Sequence, residues 1–119
     1  MRLIDFAPVA LTTSLGTNLL NPAISSLSGP VGFTMPPPWL RVTKLQFVNT
    51  TASPITVSLF KGASNAHAAG TEVYGSGLSI AANSTYNDYG DMPLAAADFL
   101  TGGASATGVT LRIEAEVDL

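Results

Sequence analysis

The single histidine, His67, is the first residue to consider for catalysis. It lies in a run of small residues, 63–70, with the sequence ASNAHAAG. A serine–histidine–aspartate set needs a base that an acid orients, and serines are available together with Asp88 or Asp91. The chain lacks the G-x-S-x-G motif that presents a nucleophilic serine on a sharp turn. We therefore interpret His67 as a solvated loop residue, and we expect no enzyme activity and no catalytic residue.

Oxygen ligands cluster in segment 86–91, YNDYGD. Calcium binds carboxylate and amide oxygens, but the twelve-residue spacing of an EF-hand loop is absent. A turn explains the segment equally well, because Asn and Asp bond their own backbone and Gly90 can supply a positive φ. Zinc would have to use one histidine and carboxylates, since there is no cysteine. We expect no metal and no cofactor.

Four short segments are typical of turns and loops. The glycines of residues 75–77 and 102–108 fit neither the dinucleotide fingerprint nor the phosphate-binding loop. Residues 49–51 and 83–85 fit the glycosylation pattern. We interpret both tripeptides, 49–51 and 83–85, as hairpin turns.

The start of the chain, MRLIDFAPVAL, lacks the apolar stretch of a signal peptide, so we expect it to be the mature N-terminus.

The clearest structural signal is the alternation over residues 109–119. Odd positions there are apolar and even positions are polar or charged, which is the period of a strand with one buried face. We expect Leu111, Ile113 and Val117 to be buried, with Arg112 and Glu114 on the other face.

Other runs indicate further strands. Residues 41–49 and 55–60 are expected to form an antiparallel hairpin joined by 50–54. Shorter candidates are 10–15, 17–20, 72–74, 78–80 and 85–89, and residues 94–100 could form one helical turn. The pattern predicts an all-β fold, a single antiparallel β-sandwich or jelly roll with an extended uncharged N-terminal arm.

Charge is scarce and unevenly placed. The chain has five basic and eight acidic residues among 119, and none lies between Asp5 and Arg41. Prolines, glycines and hydroxyl residues interrupt that stretch, so it is not a membrane span, and five scattered basic residues make no nucleic-acid footprint. We divide the chain into residues 1–39, an N-terminal arm that can contain the first strand or strands, and residues 40–119, the sandwich domain.

The arm is the expected interface. Three prolines at 36–38 precede Trp39, the only tryptophan, which could be an interface anchor or a lid on the core. The apolar residues of the arm either pack on the sandwich or extend onto a neighbour, and the absence of charge favours the neighbour. The interface candidates are Leu19, Leu20, Ile24, Leu27, Val31, Phe33, Met35 and Trp39.

The segments 42–51 (VTKLQFVNTT), 55–59 (ITVSL), 70–74 (GTEVY), 80–83 (IAAN) and 97–100 (ADFL) carry a resemblance. Together they resemble small β-sandwich virion proteins of tailed bacteriophages, over about residues 40–119. The resemblance implies a non-enzymatic structural protein of the virion, assembled in the host cytoplasm. Residues 23–39 depart from the family pattern as an insertion.

The leading function is a capsid decoration or cement protein that stabilises the head lattice as a homo-oligomer, with the major capsid protein or other virion subunits as partners. A minor tail, neck or fibre-adaptor subunit is the first alternative. A sugar-binding adsorption module is the second, and it would need exposed aromatic residues on loops, such as Trp39, Tyr74, Tyr86 and Tyr89. Neither nucleic acid nor a membrane is an expected partner.

Overall fold

The computed structural model describes residues 2–6, 8–21, 39–95 and 97–117, and its regular elements are strands. They are β1 (Arg2–Asp5), β2 (Val9–Ala10), β3 (Asn18–Leu20), β4 (Trp39–Asn49), β5 (Ile55–Gly62), β6 (Leu78–Ile80), β7 (Ser84–Ala95), β8 (Phe99–Ala104) and β9 (Val109–Val117). The all-β prediction is confirmed, and the described residues contain no helix.

The strands form two antiparallel sheets. Sheet A has the order β1-β9-β4-β7, with β2 also paired to β9, and sheet B has the order β3-β8-β5-β6. Because β1 and β2 pair with the same neighbour, they are two pieces of one edge strand. Phe6 continues the ladder between them, donating its N–H to the Ile113 carbonyl at 2.9 Å. Pro8 lies at the interruption, where its missing N–H cannot contribute a ladder bond.

The strand pairs are nested along the chain. The edge strand β1/β2 pairs with β9, β3 pairs with β8, β4 pairs with β7, and β5 pairs with β6. This is one long antiparallel ribbon that wraps so that its successive segments fall alternately in sheet A and sheet B. Further pairing of β4 with β9 and of β5 with β8 closes the wrapped ribbon. The arrangement is a jelly roll.

Two of the local predictions that proved wrong concern residues 50–54 and 94–100. The strands β4 and β5 do not form a hairpin, because β4 belongs to sheet A and β5 to sheet B, so residues 50–54 cross between the sheets. The helical turn considered for residues 94–100 is absent from the described residues of that segment, since β7 runs to Ala95 and β8 begins at Phe99. The hairpin error has a simple cause: a crossover and a hairpin turn use the same small and polar residues.

The core lies between the inner faces of the two sheets. In β9 the predicted alternation holds, with Leu111 and Ile113 buried and Arg112 exposed. The side chain of Val117 lies outside the described residues. In β4 the buried side chains stand at odd positions from Leu45 onward and at even positions up to Val42. The change occurs because a bulge at Thr43 inserts one residue relative to β9.

The described part of the N-terminal segment belongs to the sandwich, because β1 to β3 are strands of the two sheets. Leu19 and Leu20 are 5% and 1% exposed in the core, which corrects their assignment to an interface. A register shift in β3 turns both consecutive side chains inward, where Leu20 lies opposite Leu100 of β8.

Asn49 holds the corner where β4 leaves sheet A. Its side chain is 1% exposed, and its amide nitrogen donates to the carbonyls of Ser53 at 2.9 Å and Ile80 at 3.1 Å. Its amide oxygen accepts from the N–H and the hydroxyl of Thr51, at 2.9 and 2.7 Å. All four hydrogen-bonding positions of the amide are therefore used, and the crossover is tied to the end of β6.

We expect Asn49→Ala to lower the free energy of unfolding by about 2–4 kcal/mol, because each buried group left without a partner costs about 1–3 kcal/mol. Urea unfolding followed by circular dichroism measures the change. Ser53→Ala is the matched control, since Ser53 is exposed and its carbonyl is retained, and it should stay within about 0.5 kcal/mol of wild type. Equal stability of the two variants would show that the amide does not hold the corner.

Candidate functional site

His67 lies in an exposed loop. Its ring packs edge-on against Phe60 with the ring centroids 6.1 Å apart, and its Nδ1 is 3.4 Å from the carbonyl of Asn65. Within the part of the chain that the structure describes, no carboxylate forms a hydrogen bond or ion pair with it. His67 therefore contributes to packing of the loop on sheet B.

The oxygen-rich segment 86–91 lies in strand β7, so its interpretation as a turn was wrong. Gly90 does not have a positive φ; it lies with Asp91 in an irregularity opposite Thr43. Asp88 pairs in register with the buried Leu45, so the two side chains share the inner face of sheet A. Asp91 instead forms an ion pair with Arg41 at 3.6 Å. Among the described residues, no group of three or more His, Asp or Glu side chains is placed to hold a metal ion.

Charged side chains concentrate on the outer face of sheet A. Of the five ion pairs among the described residues, four lie there: Arg41 with Asp91, Arg41 with Glu116, Lys44 with Glu114, and Arg112 with Asp5. The fifth, Lys61 with Asp98, lies at sheet B. Lys44 also lies over the ring of Tyr89, 5.6 Å from its centroid. This face is dense in charge and internally compensated.

The opposite side of the molecule carries a surface without charged residues. We define the uncharged surface as residues 12–18 and 63–71, two mostly exposed segments that contain no Asp, Glu, Lys or Arg. They contact each other, since Asn18 bonds Ser64 at 3.1 Å and accepts from the N–H of Asn65 at 2.8 Å. The result is one continuous patch of hydroxyl, amide and small apolar groups, together with the exposed side chains of Leu15 and His67.

The uncharged surface is fixed to the outer face of sheet B. The N–H of Ala104 donates to Thr12 at 2.8 Å, and the hydroxyl of Thr101 donates to Ala66 at 2.5 Å. A Cβ on Gly103 would lie 2.7 Å from the Thr12 carbonyl oxygen, so the close approach requires glycine. This corrects the prediction that residues 102 and 103 form a loop: both lie in β8, Gly103 beneath residues 12–14 and Gly102 against Ser58 and Leu59 of β5.

A cleft of about 140 Å³ opens between the sheets at the β7 edge, lined partly by Val73 and Asp88. Tyr74 packs edge-on against Phe47, with the ring centroids 6.1 Å apart. Its hydroxyl donates to Asp88 Oδ2 at 2.5 Å. Burial raises the pKa of the Tyr74 hydroxyl well above its ordinary value, and the hydrogen bond to Asp88 raises it further.

A second, shallower depression of about 210 Å³ lies at the corner of Asn49 and Asn83. The amide of Asn49 is buried and fully bonded, so this asparagine is sterically unavailable as a glycosylation acceptor. Asn83 has a φ of 51° in the turn before β7. The two tripeptides thus mark crossovers between the sheets, and the prediction of hairpin turns was wrong in that respect.

Most of the sequence-predicted interface lies outside the described residues: Ile24, Leu27, Val31, Phe33 and Met35. Trp39 begins β4, and its side chain is also outside the description. The structure adds the uncharged surface, half of which comes from residues 63–71. The sequence signal for that half was its run of small residues, which alone does not distinguish a docking surface from a solvated loop.

No protein-family model and no curated protein matches the chain. Within the described ranges, no helix has the length and apolar character needed to span a membrane.

The raised pKa of Tyr74 predicts a loss of stability in alkali. As the pH rises, the unfolded chain loses the Tyr74 proton at a lower pH than the folded chain does. The contribution of Tyr74 to the free energy of unfolding is therefore complete below about pH 10 and declines as the pH rises further. In Tyr74→Phe the stability should fall less steeply between neutral and strongly alkaline pH. Urea unfolding at a series of pH values compares the slopes, and identical slopes would contradict the assignment.

Proposed function

We propose that this chain is a structural protein of a virion, a capsid decoration protein that stabilises the head lattice by docking through its uncharged surface. The observation that carries the proposal is the separation of surface types on a jelly roll. Sheet A presents four ion pairs outward, whereas residues 12–18 and 63–71 present none. Jelly rolls are used in viral capsid proteins, which supports the assignment by analogy of fold.

The two sides are suited to different surroundings. Charged groups on the outer face of sheet A keep that side hydrated. The uncharged surface consists of groups that lose little on desolvation, such as the methyls of Ala68 and Ala69, and of hydroxyls that can bond a partner's backbone. Leu15 is exposed beside them. Interface cores are likewise depleted in charged residues.

Stabilisation would follow from linkage. A protein that binds the assembled lattice but not the separated subunits favours the lattice by mass action. Copies joined in a small symmetric oligomer add avidity, because a second contact forms at high effective concentration. No chemical step is required.

The sugar-binding alternative gains little from the placement of the aromatic residues. Tyr86 and Tyr89 are 42% and 70% exposed, but both lie in a strand. Tyr86 pairs with Phe47 and Tyr89 with Lys44, so they point to opposite faces of sheet A and form no common stacking platform. Tyr74 is bonded to Asp88. A glycan array on the purified protein tests this alternative directly.

Copy number separates a decoration protein from a tail or neck subunit. Quantitative mass spectrometry of purified particles from the source of the chain should find it in amounts comparable to the major capsid protein. A few copies per particle would favour the tail, neck or fibre-adaptor alternative, and absence from particles would reject both.

We expect Ala69→Lys to reduce the number of bound copies at least about tenfold, because burying an unpaired charge costs more than about 1.4 kcal/mol. Thr85→Lys is the matched control, an exposed position outside the uncharged surface with the same change of charge. Sedimentation of particles mixed with each variant measures binding. Equal retention of the two variants would place the docking surface elsewhere.

Attachment should tolerate salt, because the uncharged surface offers no ion pair to screen. At about 1 M NaCl exposed charge interactions are screened within about 3 Å, whereas apolar burial is not weakened by simple salt. A salt series with sedimentation counts the retained copies. Release of most copies at moderate salt would mean that the charged face of sheet A binds the lattice instead.

A further inference from the structure

The cleft at the β7 edge has apolar walls and a carboxylate. Val42, Leu45, Val73 and Met92 line its sides, and Asp88 projects into it from the inner face of sheet A. Its volume is about 140 Å³, close to that of an engineered apolar cavity of about 150 Å³ that binds benzene. The cleft can therefore hold one unbranched aliphatic side chain.

The charges around the cleft leave one carboxylate uncompensated. Asp91 lines the cleft but pairs with Arg41. Lys44 also lines it, but its ammonium group is directed to Glu114 at 3.5 Å and lies over Tyr89. Asp88 accepts a hydrogen bond from Tyr74 and has no ion pair among the described residues.

We propose that this cleft receives a lysine side chain from a second protein, with the aliphatic stem against the apolar walls and the ammonium group on Asp88. The proposal rests on the cleft alone and does not depend on the proposed function. Nothing in it requires the uncharged surface.

The hydrogen bonding of Asp88 favours lysine over arginine. Its Oδ2 already accepts from the Tyr74 hydroxyl, which leaves Oδ1 as the principal free acceptor. A guanidinium group binds carboxylates best through two parallel hydrogen bonds that use both oxygens. An ammonium group is a compact point charge on a flexible stem and needs one acceptor in a narrow site.

The test is a titration of the ¹⁵N-labelled full chain with N-acetyl-lysine methylamide, followed by amide chemical shifts. The norleucine analogue, which keeps the aliphatic stem and lacks the ammonium group, measures the apolar contribution. We expect the lysine probe to shift the amides of Val73, Asp88 and Met92 saturably, and the norleucine probe to bind about tenfold more weakly.

Asp88→Asn should weaken the lysine probe about tenfold and leave the norleucine probe unchanged, because the asparagine oxygen can still accept from Tyr74. Asp98→Asn removes a carboxylate that pairs with Lys61 and serves as the matched control with wild-type binding. Equal binding of the lysine and norleucine probes, tighter binding of the matching arginine probe (N-acetyl-arginine methylamide), or no binding of any probe would each overturn the proposal. The last result would leave Asp88 as a residue that protects the sheet edge.

Discussion

The corner that Asn49 holds is the constraint on which the rest of this jelly roll depends. A wrapped ribbon must carry each strand from one sheet to the other, and its crossovers contain backbone groups that can no longer use the ladder of either sheet. The Asn49 amide meets that need for the crossover after β4 and ties it to the carbonyl of Ile80 at the end of β6. The separation of the sheets at this corner is thereby fixed.

The strands could be predicted from the sequence better than their pairing. Alternation identifies a half-buried strand wherever one face is wet, as in β9, and even the phase shift between Val42 and Leu45 is visible in the pattern of apolar residues. It does not say which sheet a strand joins, so residues 50–54 were expected to be a hairpin turn. Gly102 and Gly103 were expected to form a loop because their role depends on segments distant in sequence, residues 58–59 for Gly102 and residues 12–14 for Gly103, which leave no room for a Cβ.

The exposed edges of both sheets are short, broken or irregular. Strands β3 and β6 have three residues each, and β1 and β2 are interrupted at Pro8. The long edge strand β7 carries Pro93 and an irregularity at Gly90. Such features discourage pairing with strands of other molecules. Association through side chains on a face, as at the uncharged surface, is therefore more compatible with this fold than the addition of a strand.

The Asp88 carboxylate has two effects: it protects the edge of sheet A against strand addition, and it favours a cationic side chain in the cleft. An inward carboxylate on an edge strand opposes strand addition, but it also costs solvation free energy unless it is hydrogen-bonded or paired. The Tyr74 hydroxyl supplies one bond, and that contact ties segment 71–77 to β7, while Thr71 and Val73 of the same segment bond the backbone of β5. The second oxygen still requires water or a cation. A residue that keeps the sheet edge free of other strands thus creates, by the same charge, a preference for a cationic side chain in the cleft.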